Sequence, residues 1–307
     1  MHITLPLMIT GIWLGFSPLY GQQDSIIQRI EKAMRTPGVD FPAELVKGKA
    51  FQVQGIQHLE EMSITIPFEN HFVRSRYSSK LFEIYNGIPP GTDASKRMVN
   101  LILSACNDSS ASLRAFNMRD IAWMARPEDF GAEQLKTLKA LLLDTVYHRT
   151  PLFPIVGRLD WPEGDRIMEQ FFREGPELLE LDKHRPGGFI ASPKWKAAMA
   201  LAKKGNTEAT AYLLEKAKSQ EDLGVINDIV QQFSIVKTRP LIDFIIDYLV
   251  SDRFADPKDY ERQSYSFVAY ILLDTIIEID DRWSEFSELR QWLRENRATY
   301  QILPDPD

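Results

Sequence analysis

A single cysteine, Cys106, stands in a chain of 307 residues, so no intramolecular disulfide can form and the fold has to rely on packing. It lies in the apolar run Leu101 to Cys106, where a thiol reads as a small buried hydrophobe rather than a nucleophile or ligand. Histidine is scarce as well, with five in all. His2 sits at the N-terminus, and the others, at 58, 71, 148 and 184, show no HExxH or other paired spacing. Dispersed histidines and one cysteine do not make a structural zinc set, so no metal is expected. The GxSxG elbow, the P-loop and the GxGxxG fingerprint are all missing, and no cofactor is expected either.

Charge is missing from the first 21 residues, which hold no Asp, Glu, Lys or Arg. Leu5 to Phe16 is mostly apolar and short for a membrane span, and Ser17-Pro-Leu-Tyr-Gly21 resembles a cleavage region. The expectation is a signal peptide over residues 1–21 and an exported, periplasmic or extracellular protein. A membrane tether follows only if this segment is retained. Two details are irregular: no Lys or Arg precedes the apolar run, and Leu19 is large for its place.

Net charge is −7, and it is uneven. Residues 240–307 hold 15 acids and 7 bases, whereas residues 1–239 hold 28 and 29. Asp243 and Asp247 share a helix face at i, i+4 spacing, followed by Asp252, Asp256 and Asp259; without an EF-hand-type loop they read as solvated surface rather than a calcium site. An acidic end repels phosphate backbones, so nucleic-acid binding is not expected. Two short basic stretches are candidates for an anion or an acidic partner: Arg74, Arg76 and Lys80, interleaved with aromatics, and Lys183 and Arg185, ahead of a Gly-Gly turn. Solvated surface is the plainer reading of both.

Catalytic candidates are few. Asp160-Trp-Pro-Glu-Gly-Asp165 brings Asp160, Glu163 and Asp165 beside an indole, as a polysaccharide-acting enzyme or lectin would. The competing reading has Asp160 capping a turn and Trp161 packing between helices. Ser234-Ile-Val-Lys237 fits S-x-x-K, a pattern loose enough to arise by chance.

What the chain has in quantity is helical periodicity. In Ser192 to Glu215, Ala197, Ala198, Leu201 and Ala202 mark one inner face. Gly205-Asn206 stops that helix, Thr207 is placed to cap the next, and Ala211, Leu213, Leu214 and Ala217 continue the apolar side. So short a pair needs neighbours, and aligning Thr207 with Thr238 brings a second pair into register at an offset of 31 residues (238 − 207). The run WKAAMALAKKGNTEATAYLLE resembles a HEAT-type repeat of the short variety found in bilin-lyase-like proteins. That resemblance implies an architecture and no particular activity.

Further helices are predicted over Ser25 to Met34, Ala43 to Met62, Glu69 to Tyr85, Lys96 to Ala105, Ala111 to Ala125, Ala132 to Thr145, Asp165 to Phe172, Gln263 to Ile279 and Trp283 to Asn296. Met62 to Pro67 alternates like a brief strand. Ser264 to Ile279 is apolar almost all round; if the last helix leaves Tyr265, Phe267 and Tyr270 uncovered, they form a patch for a partner. The expected fold is therefore all-α: an α-solenoid of roughly five stacked antiparallel helix pairs over residues 92–307, after a less regular capping region over residues 22–91. The expected function is a protein-binding scaffold without catalytic chemistry. The alternative is a helical enzyme or lectin acting on an envelope or extracellular polysaccharide.

Overall fold

A computed structural model describes residues 18–47, 49–144, 149–176, 180–181, 189–190, 192–251, 260–279 and 286–304, with side chains left out for 18–25, 46–52, 180–181, 189–190 and 260–266. The described residues form an all-α protein, apart from a two-residue antiparallel ribbon pairing Glu180–Leu181 with Phe189–Ile190 and an isolated antiparallel bridge between Ile277 and Ile302. No described helix is long and apolar enough to cross a membrane. The chain divides into two compact units, Met1–Asn117 and Met118–Asp307.

The first unit contains α1 (Pro18–Arg35), α2 (Glu44–Lys47), α3 (Lys49–Thr65), α4 (His71–Gly87), α5 (Asp93–Ala105) and the first half of α6 (Ala111–Met124). Its core is Ile30, Leu45, Ile56, Leu59, Leu81, Ile84, Tyr85, Met98 and Ile102, all essentially without exposed surface. Gly55 permits the closest approach, since a Cβ there would lie 1.9 Å from Leu45 Cδ1. Asn70 and Thr92 cap α4 and α5 by accepting the amides of Val73 and Ser95.

Two expectations for this region change. Met62 to Thr65 is the end of α3, not a strand, and Ile66–Phe68 is a 3-10 turn. Met62 and Ile66 are buried one helical turn apart, and Ile64, at the alternating position, is exposed. The hydroxyls of Ser63 and Thr65 donate to the carbonyls of Glu60 and Met62, which suits a helix. The division also falls later than the loop at residues 86–91. After that loop α5 packs on α3 and α4, and so belongs to the same core.

The second unit continues from α6 through α7 (Ala132–Leu142), a 3-10 turn running into the short α8 (Phe153–Val156), α9 (Pro162–Glu174), α10 (Pro193–Lys203), α11 (Thr207–Lys218), α12 (Leu223–Val236), α13 (Arg239–Val250), α14 (Tyr260–Asp274) and α15 (Phe286–Asn296). Helix α10 lies at its centre, packed on α8, α9, α11 and α12. Its inner alanines leave room for that approach; at Gly157, just after α8, a Cβ would lie only 3.0 Å from the Ala200 backbone.

Two helix pairs in this unit correspond closely, at an offset of 32 (237 − 205) rather than 31. Helices α11 and α13 each have 12 residues, and each follows a cap residue preceded by a left-handed one, Gly205 (φ 85°) or Lys237 (φ 56°). Every buried residue of α11 maps to a buried residue of α13: Ala209 to Leu241, Thr210 to Ile242, Leu213 to Ile245 and Ala217 to Leu249. In the helices before them, Ala197, Ala198, Leu201 and Ala202 map to Ile229, Val230, Phe233 and Ser234, again all buried. The one-residue difference arises at the turn. Gly205 and Asn206 donate back to the carbonyls of Ala202 and Leu201, the hydrogen-bond pattern of a Schellman motif, and Asn206 rather than Thr207 then caps α11 through Ala209 N.

The chain's end is tied to α13. Tyr300 Oη donates to Asp243 Oδ1 at 2.8 Å, and Arg297 pairs with Asp247. Asp243 and Asp247 therefore hold the C-terminal segment, Asp247 while remaining exposed to solvent. Asp252, Asp256 and Asp259 lie outside the described residues.

Candidate functional site

The basic residues singled out in the first unit are engaged within it. Arg76 reaches Ala33 O (3.0 Å) and Val39 O (2.8 Å), fastening the turn after α1. Arg74 pairs with Asp108 at 3.5 Å and donates to Ser109, and Lys80 pairs with Glu83 while lying 5.5 Å from the centroid of the Phe41 ring. Their shared feature is structural: each ties a helix to a loop or a neighbouring side chain. Lys183 and Arg185 lie outside the described residues.

The three acids around Trp161 also have separate surroundings. Asp160 is exposed, Glu163 pairs with Lys139 at 2.6 Å, and Asp165 pairs with Lys204. Trp161 is buried and lies over Gly164, where a Cβ would meet the indole at 2.2 Å. This loop has the form of a packing joint at the start of α9, and a desolvated acid opposed to a carboxylate base is not what it presents. Ser234 is buried and donates to Gln231 O, while Lys237 occupies the left-handed position at the end of α12, so the two form no dyad. Cys106 is buried at the end of α5. Among the described residues no group of three or more His, Cys, Asp or Glu is placed to hold a metal ion. Each ring nitrogen of His58 faces a different carboxylate, Glu31 at 3.6 Å and Glu61 at 3.7 Å.

The site that the tertiary structure does assemble is a groove in the second unit with a volume of about 460 Å³, within the range of ordinary ligand clefts. It lies where the C-terminal ends of α7 and α9 meet the turn before α8 and the first residue of α10. Its inner part is apolar, formed by Leu142, Phe153 and Phe171, and the two rings stand 4.9 Å apart and 47° inclined. Arg149 is buried at one end, its Nη2 donating to Asp144 Oδ2 at 2.6 Å and its Nη1 3.9 Å from Met118 Sδ. Glu174 is exposed at the other end and accepts from Gln170 Nε2 at 2.9 Å. Leu143, about half exposed, stands on the rim.

Sequence reasoning did not single out Asp144, Arg149, Gln170 or Glu174. None carries a motif, Gln170 standing one turn before the end of α9 and the others at helix or turn ends, and their meeting depends on how α7, α8 and α9 pack.

A second surface feature is on α14. Phe267 and Ile271 are 61% and 46% exposed, while Ala269 and Leu273 on the same helix are fully buried. Tyr270 is half-buried, and the side chain of Tyr265 lies outside the described residues. The first unit has its own exposed apolar group, Ile64, Phe68 and Phe72, at the corner between α3 and α4.

No protein-family model, curated protein or solved structure matches the chain.

Proposed function

We propose that this protein is an exported, HEAT-like α-solenoid that acts as a scaffold or adaptor for a protein partner. The observation that carries the reading is the pair Phe267 and Ile271. They are large apolar side chains one helical turn apart, left in water on a helix that buries Ala269 and Leu273 completely. Exposed apolar side chains grouped on one face mark interaction surfaces more often than isolated ones do. The correspondence of α10–α11 with α12–α13 supports the repeat architecture, because each short pair needs a neighbour to cover it. Stacked helices of this kind present ridged faces suited to large ligands.

The test is affinity capture from the native envelope fraction with the full chain and with the double variant Phe267→Glu/Ile271→Glu. The reading expects one defined protein to be enriched by the wild type and lost with the variant while thermal unfolding is unchanged. Equal recovery by both overturns it, and enrichment of glycan instead of protein favours the polysaccharide alternative.

A further inference from the structure

The groove beside Arg149 has an electrostatic character that its one buried cation conceals. Arg149 is already committed to Asp144. That leaves Glu174 as the remaining charged group of the lining, and among the described residues no lysine or arginine pairs with it. Helices α7 and α9, of 11 and 13 residues, both end at the groove. The C-terminus of a helix carries partial negative charge and its last carbonyls point outward, so both ends add to the attraction for a cation. Lys194, the nearest basic side chain in sequence to the lining residue Pro193, is held over the rings of Phe172 and Tyr212, at 5.8 Å and 5.3 Å.

We propose that this groove binds an arginine side chain presented by a peptide segment of a protein partner, with Glu174 accepting the guanidinium and an adjacent apolar side chain resting on Leu142 and Leu143. Arginine fits better than lysine for two reasons. Its planar head can lie along the half-exposed Phe171 ring, and its parallel N–H groups match a carboxylate in two-point contact. Gln170, already hydrogen-bonded to Glu174, fixes that carboxylate's position and leaves an amide oxygen on the same wall as a further acceptor. A peptide is favoured over a small free cation because the apolar side chain of Leu143 stands about half exposed on the rim, where only a chain running across the groove covers it. The proposal rests on the partner-binding reading and adds the chemistry of one contact.

The test uses the full chain and two probes, acetyl-Leu-Arg-Leu-amide and the same peptide with citrulline in place of arginine, titrated by calorimetry or by amide shifts in NMR spectra. The arginine peptide is expected to saturate, with the neutral citrulline isostere about tenfold weaker, and Glu174→Gln should remove that difference. Glu174 is exposed, so the variant should unfold at the same temperature as the wild type. Equal affinity for the two peptides, a difference that persists in Glu174→Gln, or no saturation by the arginine peptide overturns the proposal. The broader reading fails separately: loss of peptide binding with partner capture intact discards the groove alone, and equal capture by Phe267→Glu/Ile271→Glu overturns the partner reading drawn from α14 while leaving the peptide titration as it was.

Discussion

Trp195 and Phe233 stack nearly parallel and offset, with ring centroids 5.9 Å apart and planes inclined by 10°. Trp195 comes from the start of α10 and Phe233 from the last turn of α12, so the stack joins the two helix pairs that share the 32-residue offset. The indole Nε1 donates to Gln232 Oε1 at 2.9 Å, and Lys196 Nζ reaches the same oxygen at 3.2 Å. One amide thus satisfies a buried indole and receives a half-buried, partly desolvated ammonium, and the second of these is costly.

Lys196 is the first place to test that cost. Burial pulls its amine down to about 8. Between that value and the ordinary lysine range near 10.4, the unfolded chain binds more protons than the folded one, so stability rises with pH across this window. Below pH 8 the ammonium is charged in both states and its full desolvation cost is present. Replacing it by methionine, Lys196→Met, should stabilise the second unit at pH 7 by about 1–2 kcal/mol, a figure reduced for partial solvent contact. The rise in stability from pH 8 to 10 should flatten. Urea unfolding at pH 7, 8, 9 and 10 measures both effects.

Gly164 should tolerate no side chain while Trp161 is present. A Cβ there would stand 2.2 Å from the indole, and Gly164→Ala is expected to cost about 1–3 kcal/mol through overpacking. Trp161→Ala opens a cavity by itself, so the double variant should be less destabilised than the sum of the two. A double-mutant cycle by chemical denaturation reads that coupling directly. Strict additivity would mean that the two groups do not touch.

Lys237 holds a left-handed backbone conformation with φ 56°, the position that Gly205 fills in the preceding pair. A side chain there is disfavoured, so Lys237→Gly should raise stability by about 0.5–1 kcal/mol after allowance for the greater freedom of glycine when unfolded. The same change at an exposed position inside a helix, Lys136→Gly in α7, should lower stability by about 1 kcal/mol. Thermal unfolding of the two variants side by side separates the backbone effect from loss of a lysine charge.

The Tyr300 clasp should be sensitive to alkali. Burial first, then the bond to Asp243, raises its phenol well above the ordinary tyrosine value. The stability contributed by this group is therefore complete below about pH 10 and is lost as pH climbs through the raised value. Tyr300→Phe should cost about 1–2 kcal/mol at pH 7 by removing a hydrogen bond to a carboxylate. Hydrogen exchange should quicken at Leu303, whose amide donates to Ile276 O. An ultraviolet titration in which all tyrosines ionise together would contradict the assignment.

Local pattern carried most of the secondary structure. The alanine-rich face of Ser192 to Glu215 and the Gly205-Asn206 stop are readable because capping and amphipathic spacing are properties of a few adjacent residues. The same reasoning failed at Met62 to Pro67, where a short alternating run satisfies both a strand and the end of a helix, and the burial of Met62 and Ile66 selects the helix. It also placed the repeat offset one residue short, because the second turn reaches its left-handed conformation with Lys237 instead of glycine and so carries no sequence mark.

Sequence alone determined that the fold is helical, that it has no disulfide to rely on, and that its acidity is concentrated toward residue 307. Those are sums over composition or patterns within one helical turn. The tertiary structure decided what each charge does. Arg76 became a fastener for Ala33 and Val39, Asp243 and Asp247 became anchors for the C-terminal segment, and Arg149 was buried against Asp144 with Glu174 left at the groove's edge. The free energy of a charged side chain depends on its solvent exposure and on partners distant in the chain, and helix packing sets both.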